Sequence, residues 1–119
     1  MSDELLDLAE FRERVQDDLE LLLELLDIYS SDFVEKRKIL QDAVANKNYD
    51  QIKSIAHSLK GASGNISAKT MRECFLQLEE MGKTQNATGG PELLKKIDQI
   101  YADLTKRFDQ LKRDLKPTS

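Results

Sequence analysis

Apolar residues recur along this chain at steps of three and four, which is the spacing of amphipathic helices. The pattern is clearest near the C-terminal end, where it continues for about six turns through Leu93, Ile97, Ile100, Leu104, Phe108, Leu111 and Leu115. No segment alternates apolar and polar residues as a half-buried strand would. The pattern therefore predicts an all-α protein.

Capping and helix-breaking residues divide the pattern into segments. Three candidate N-caps stand three positions before an acceptor side chain: Asp7 before Glu10, Asp17 before Glu20 and Asn48 before Gln51. Ser67 is a fourth candidate cap, Gly82 a candidate C-terminal residue, and Pro91 suits a first helical turn. The predicted helices run from about Leu8 to Val15, Asp18 to Ala45, Asn48 to Gly64, Ser67 to Gly82 and Pro91 to Leu115.

The connections between the four long segments are short, and each segment has one apolar stripe. Helices of this kind pack as antiparallel neighbours because short loops leave no length for crossovers. We therefore expect an antiparallel up-down four-helix bundle with a short additional N-terminal helix covering one end. The length of 119 residues fits a single domain over residues 1–119, with a helical core at about 7–115.

Charge and composition exclude several functions. The 18 basic and 22 acidic residues give a net charge of -4, which disfavours nucleic acid as a partner. One cysteine, Cys74, and one histidine, His57, allow neither an internal disulfide nor a His/Cys zinc site. The acidic N-terminus and the short apolar runs predict a cytoplasmic protein with no membrane partner.

Helical-wheel arithmetic on the third segment predicts that His57 faces water. At about 100° per residue, His57 lies about 150° from the middle of the apolar sector. Lys60 and Gly61 fall toward the same outward side. The apolar sector itself contains Ile52, Ile55, Ala56, Leu59, Ser63 and Ile66.

A lone outward histidine is most often a plain surface residue, but its neighbours favour a chemical role. Gly61 costs the helix interior about 1 kcal/mol relative to alanine, and its missing side chain leaves space beside the imidazole. A solvated imidazole is largely neutral at pH 7 and is a competent nucleophile toward phosphorus. Lys60 would supply the cation that phosphoryl transfer needs near the phosphoryl oxygens.

A second apolar stripe on the long helix consists of Leu21, Leu25 and Ile28. This stripe is offset from the core-facing residues, so it is either covered by the N-terminal helix or left exposed for a partner. We expect partial cover, with the remainder available for docking.

The segment Ala56 to Ser63, which reads Ala-His-Ser-Leu-Lys-Gly-Ala-Ser, resembles the motif of the histidine-containing phosphotransfer (HPt) domain. Residues Cys74 to Gly82 and the opening helices add to the resemblance, which extends from about Asp7 to Leu115. Ser67 stands where many members have glycine. Glu79 stands where some have glutamine, and no phosphoryl-binding role is assigned to it.

The resemblance implies that His57 accepts a phosphoryl group from a receiver-domain aspartate and passes it to another. It also implies that Lys60 contacts the phosphoryl oxygens and that Gly61 gives access. Such domains have no kinase activity or cofactor of their own, and magnesium belongs to the partner's acidic pocket. The implied partners are response-regulator receiver domains, with a hybrid sensor kinase as a further candidate, and the expected state is a monomer.

Two other functions stay open from the sequence. One is a structural or adaptor bundle without phosphotransfer, which would tolerate the loss of His57. The other is the dimerisation and phosphoacceptor part of a sensor kinase, which would need an adjoining ATP-binding domain.

Overall fold

A computed structural model of the chain describes residues 5–115, and all of the regular structure in this range is helical. The ends of the predicted domain, residues 1–4 and 116–119, lie outside the described residues. The helices, numbered here in chain order, are α1 (Leu8–Arg14), α2 (Leu19–Ala45), α3 (Tyr49–Asn65), α4 (Lys69–Thr84) and α5 (Gly90–Asp114).

The four long helices form a closed ring. Helix α2 packs against α3 and α5, and α4 packs against the same two helices from the opposite side. This confirms the predicted four-helix bundle with an additional N-terminal helix. Helix α1 buries Phe11 completely, and the Asp7 amide donates to the Ser67 carbonyl oxygen at 2.9 Å. The short helix therefore lies at the end of the bundle where α3 turns into α4.

Aromatic residues in the core join α2 to the other helices. Phe33 of α2 stacks on Tyr101 of α5 with ring centroids 3.8 Å apart, and Phe75 of α4 meets the edge of the same phenylalanine. The Tyr29 hydroxyl is 2.8 Å from the Ser63 Oγ in α3, and burial raises the pKa of this tyrosine. A buried polar pair of this kind is costly to break, so it fixes how α3 is rotated about its axis.

The start of α2 differs from the prediction by one residue. The N-cap is Asp18, whose carboxylate accepts from the Leu21 amide at 3.0 Å, whereas Asp17 has a φ of 59° and pairs with Arg12. A capping residue needs extended backbone, as Asp18 has, so a left-handed Asp17 cannot fill that position.

Ser67 is not the N-cap of α4. Its φ of 60° places it in the turn, and its hydroxyl donates to Glu10 of α1 at 2.8 Å. Ala68 occupies the cap position without a side-chain hydrogen bond. The tight turn between α3 and α4 requires a residue with left-handed backbone. Ser67 fills that position, so the N-cap moves to Ala68.

Gly82 does not end α4, which continues to Thr84 and stops at Gln85, a left-handed residue with a φ of 54°. Gly82 is buried against α3 instead. A Cβ at this position would lie 2.7 Å from the Lys53 backbone nitrogen and 2.8 Å from the Tyr49 carbonyl oxygen. The glycine therefore allows α3 and α4 to approach closely.

Candidate functional site

Helix α3 presents His57 to solvent, as the wheel predicts. Its side chain is 70% exposed, while Ile52, Ala56 and Leu59 on the opposite side of the helix are buried. The amphipathic pattern alone accounts for this orientation, because burying the apolar side turns the histidine outward.

The imidazole of His57 is hydrogen-bonded to Glu79, a residue of the neighbouring helix α4. The His57 Nδ1 lies 2.7 Å from the Glu79 Oε2, and the Lys60 Nζ donates to the other carboxylate oxygen, Oε1, at 2.6 Å. The Glu79 side chain is only 4% exposed. One nearly buried carboxylate thus connects the histidine and the lysine of the predicted site.

The ionisation state of Glu79 determines which ring nitrogen carries the proton. The hydrogen bond from Lys60 holds the pKa of Glu79 below its ordinary value against the opposing effect of burial, and the hydrogen bond from His57 acts in the same direction as the lysine. An ionised carboxylate only accepts hydrogen bonds, so Nδ1 must carry the proton and donate it. The neutral imidazole therefore presents its lone pair on Nε2, the nitrogen on the other side of the ring from Glu79.

Lys60 is placed differently from the sequence expectation. Its side chain is 19% exposed and bends to Glu79 instead of standing free beside the histidine. The wheel gives the correct side of α3 but cannot show a partner on another helix. From the sequence, Glu79 is named only through the resemblance and is given no role. Its contact with His57 is not predicted because the two residues are 22 positions apart, and only the packing of α4 on α3 brings them together. The available signal was a carboxylate directly after the buried Leu78 on the apolar stripe.

Gly61 lies four residues after His57 in α3 and is the residue without a side chain one helical turn along from the histidine. It is exposed, and a Cβ built at this position would meet nothing within 4 Å. Close packing therefore does not explain this glycine, in contrast to Gly82. That Gly61 provides access to the histidine stays a prediction.

A second polar network joins α2 to α3 next to the histidine. The Lys36 Nζ donates to the Ser58 Oγ at 2.6 Å and lies 3.0 Å from the Asp32 Oδ1. Ser58 directly follows His57 in α3. The Lys36 network therefore fixes the position of α2 relative to the part of α3 that carries His57. Glu79 does the same for α4.

A shallow groove of about 100 Å³ lies between α2 and the last turns of α3. On its α2 side Ile28 is 55% exposed and Leu25 is partly buried against the core. Leu21, the third residue of the second apolar stripe, is 39% exposed and does not line the groove. The second apolar stripe is thus partly covered, as expected. The residues that line the groove are Leu25, Ile28, Tyr29, Asp32, Ala62, Asn65 and Ile66.

Within residues 5–115, no three His, Cys, Asp or Glu side chains are grouped so that they could hold a metal ion. None of the described helices combines the length and apolar character needed to cross a bilayer. Cys74 is buried in the core, as its place on the apolar stripe of α4 predicts.

Comparison with known proteins agrees with this architecture. The Hpt domain family model matches residues 8–114. The crystal structure of histidine-containing phosphotransfer protein B (HptB) from Pseudomonas aeruginosa PAO1 is similar, with a TM-score of 0.80 and 26% sequence identity, over 92% of this chain and 96% of that chain. A search of curated proteins found no significant match. The match across α1 to α5 shows that this chain belongs to the Hpt domain family.

Proposed function

We propose that this protein carries phosphoryl groups between receiver domains, with His57 as the acceptor. Family membership supports a phosphotransfer intermediate in two-component signalling. The observation that carries the residue assignment is the state of the imidazole, which is 70% exposed and bound to Glu79 only through Nδ1. The lone pair on Nε2 is therefore left free on an exposed ring.

The transfer step needs no proton to leave the histidine. The Nε2 lone pair attacks the phosphorus of an aspartyl phosphate, an Nε2–P bond forms, and the bond from phosphorus to the aspartate oxygen breaks. The bonding electron pair stays on the aspartate, which becomes a carboxylate. The ring acquires a positive charge while Nδ1 keeps its proton, and the Glu79 carboxylate stabilises that charge through the existing hydrogen bond. Transfer to the next aspartate is the reverse of this step.

Lys60 and Gly61 take the roles that the resemblance implies. The Lys60 cation offsets the charge on the phosphoryl oxygens as the group passes between the two proteins. Gly61 lets the partner's backbone and side chains approach the imidazole closely, since no Cβ stands there.

The proposed partners are response-regulator receiver domains, which would dock on the groove between α2 and α3. Ile28 supplies an exposed apolar side chain on the α2 side of this groove. Any magnesium required for the reaction would be held by the receiver. We further propose that the protein is a cytoplasmic monomer without autokinase activity, and that a hybrid sensor kinase is a candidate source of the donor receiver.

Incubation with ³²P-labelled receiver domains tests this proposal. The protein should acquire label that is acid-labile and alkali-stable, as expected for phosphohistidine, and His57→Gln should acquire none. The variant should change the free energy of unfolding by less than about 0.5 kcal/mol, as is usual for exposed positions. Label that persists in a folded His57→Gln protein would exclude His57 as the acceptor, and a parent protein that never acquires label would favour an adaptor bundle.

A further inference from the structure

Glu79 binds two groups that the proposed reaction uses. In the unphosphorylated protein, its Oε1 accepts from the Lys60 Nζ at 2.6 Å and its Oε2 is 2.7 Å from the His57 Nδ1. The carboxylate is nearly buried, so its negative charge requires a close cation. Lys60 supplies that cation while the imidazole is neutral.

This arrangement places the lysine away from the atom that would be phosphorylated. Nδ1 faces Glu79, and the reactive Nε2 is on the other side of the ring. The Lys60 amine is bound to the same carboxylate as Nδ1, so in the resting protein it neutralises Glu79. The Glu79 carboxylate therefore competes with a phosphoryl group on Nε2 for the charge of the lysine.

Phosphorylation changes the charges that compete for Lys60. The new phosphoryl group carries roughly two negative charges, and the imidazole ring becomes a cation whose Nδ1 proton already points at Glu79. The ring can then satisfy the buried carboxylate in place of the lysine. At the same time the phosphoryl oxygens offer Lys60 a more strongly charged partner.

We propose that phosphorylation of His57 transfers Lys60 from Glu79 to the phosphoryl oxygens, and that the imidazolium replaces the lysine as the cation beside Glu79. This inference rests on the proposed function. Glu79 is then a positioning residue that acts through Lys60 as well as through the imidazole. It holds the lysine until the phosphoryl group arrives and takes it back when the group leaves.

A double-mutant cycle on the phosphoryl equilibrium tests this exchange. The equilibrium constant for transfer from one phosphorylated receiver is measured with four proteins: the parent, Lys60→Ala, Glu79→Gln and the double variant. Glutamine keeps an oxygen that can accept from Nδ1 but removes the charge that holds the lysine. Each constant compares two states of the same folded protein, so changes in unfolding free energy do not enter once circular dichroism confirms the fold.

If Lys60 moves, its loss should lower the equilibrium constant in both backgrounds. The decrease should be roughly fivefold in the parent background, the size of a partly exposed ion pair. It should be larger in the Glu79→Gln background, where no carboxylate competes for the lysine. If Lys60 instead stays on Glu79 in both states, its loss should not lower the equilibrium constant in the parent background, and that result would overturn the inference. Failure of the parent protein to accept label would instead refute the proposed function, so the two failures are distinguishable.

Discussion

Gly61 and Gly82 show how the same residue type serves different purposes in one bundle. Both lie inside helices, where glycine carries a cost relative to alanine. A Cβ at Gly61 would meet nothing within 4 Å, whereas one at Gly82 would overlap the backbone of α3. Helix packing therefore explains the second glycine but not the first, to which we assign access to His57.

Alanine at the two positions should have opposite effects on stability. Gly61→Ala should raise the free energy of unfolding by up to about 1 kcal/mol, because alanine is the better helix former and has free space. Gly82→Ala should lower it by roughly 1–3 kcal/mol, because α3 and α4 must separate. Urea denaturation of both variants measures the difference, and a destabilised Gly61→Ala protein would show that this position is packed.

A larger side chain at Gly61 tests access separately from folding. Gly61→Gln should leave the fold intact, since the position is exposed, but it should obstruct the approach of an aspartyl phosphate to Nε2. Stopped-flow transfer from a phosphorylated receiver measures the effect, with Gly61→Ala as the control. Transfer at the parental rate in the glutamine variant would contradict a role for Gly61 in access.

The depressed pKa of Glu79 makes a prediction about acid stability. Its pKa is lower in the folded protein than the ordinary glutamate value of about 4.3. Its contribution to stability is therefore present above that value and is lost as pH falls through the folded pKa. Glu79→Gln should lose less unfolding free energy than the parent between pH 6 and pH 3, measured by urea denaturation.

Two other carboxylates also have lowered pKa values, so the comparison of variant with parent is needed to isolate Glu79. The pKa of Asp7 is lowered mainly by the hydrogen bond from the Glu10 amide, and that of Glu10 mainly by the hydrogen bond from Ser67. Equal losses in both proteins would show that Glu79 gains nothing from its partners.

For the individual helices, the sequence predicts the body of each one and misses some of the ends. Periodicity identifies five helices correctly because burial of an apolar stripe dominates each one. The errors at Asp17, Ser67 and Gly82 share one cause. Turns with left-handed residues and the spacing between helices are set by tertiary packing, which a local capping pattern does not contain.

The exposed part of α2 offers a matched pair for testing the docking groove. Ile28 lies on the groove and is 55% exposed, and Val34, 46% exposed, lies about 120° away around the same helix. Ile28→Lys should weaken receiver affinity by about tenfold, since it places a solvated charge where an apolar contact would form. Val34→Lys should leave affinity unchanged, and both variants should fold. Isothermal titration calorimetry with a receiver domain distinguishes them, and equal affinities would place the docking surface elsewhere.

In the bundle as a whole, the ring of four helices places His57 between two supports. Helix α4 supplies Glu79, which bonds to the imidazole, and α2 supplies Lys36, which bonds to the adjacent Ser58. The sequence predicts that His57 and Gly61 are exposed, because both positions follow from which side of α3 is apolar. It does not predict the Glu79 contact or the groove, because each of these requires the relative placement of two helices.

The proposed chemistry depends on the Nε2 of His57 carrying the phosphoryl group while Nδ1 stays on Glu79. The chain contains one histidine, so ¹⁵N-histidine labelling gives one imidazole to observe without assignment. After phosphorylation by a receiver domain, NMR should show one-bond ¹⁵N–³¹P coupling to Nε2 and a proton retained on Nδ1. Coupling to Nδ1, or no coupling to either nitrogen in a protein that carries phosphate, would contradict this assignment.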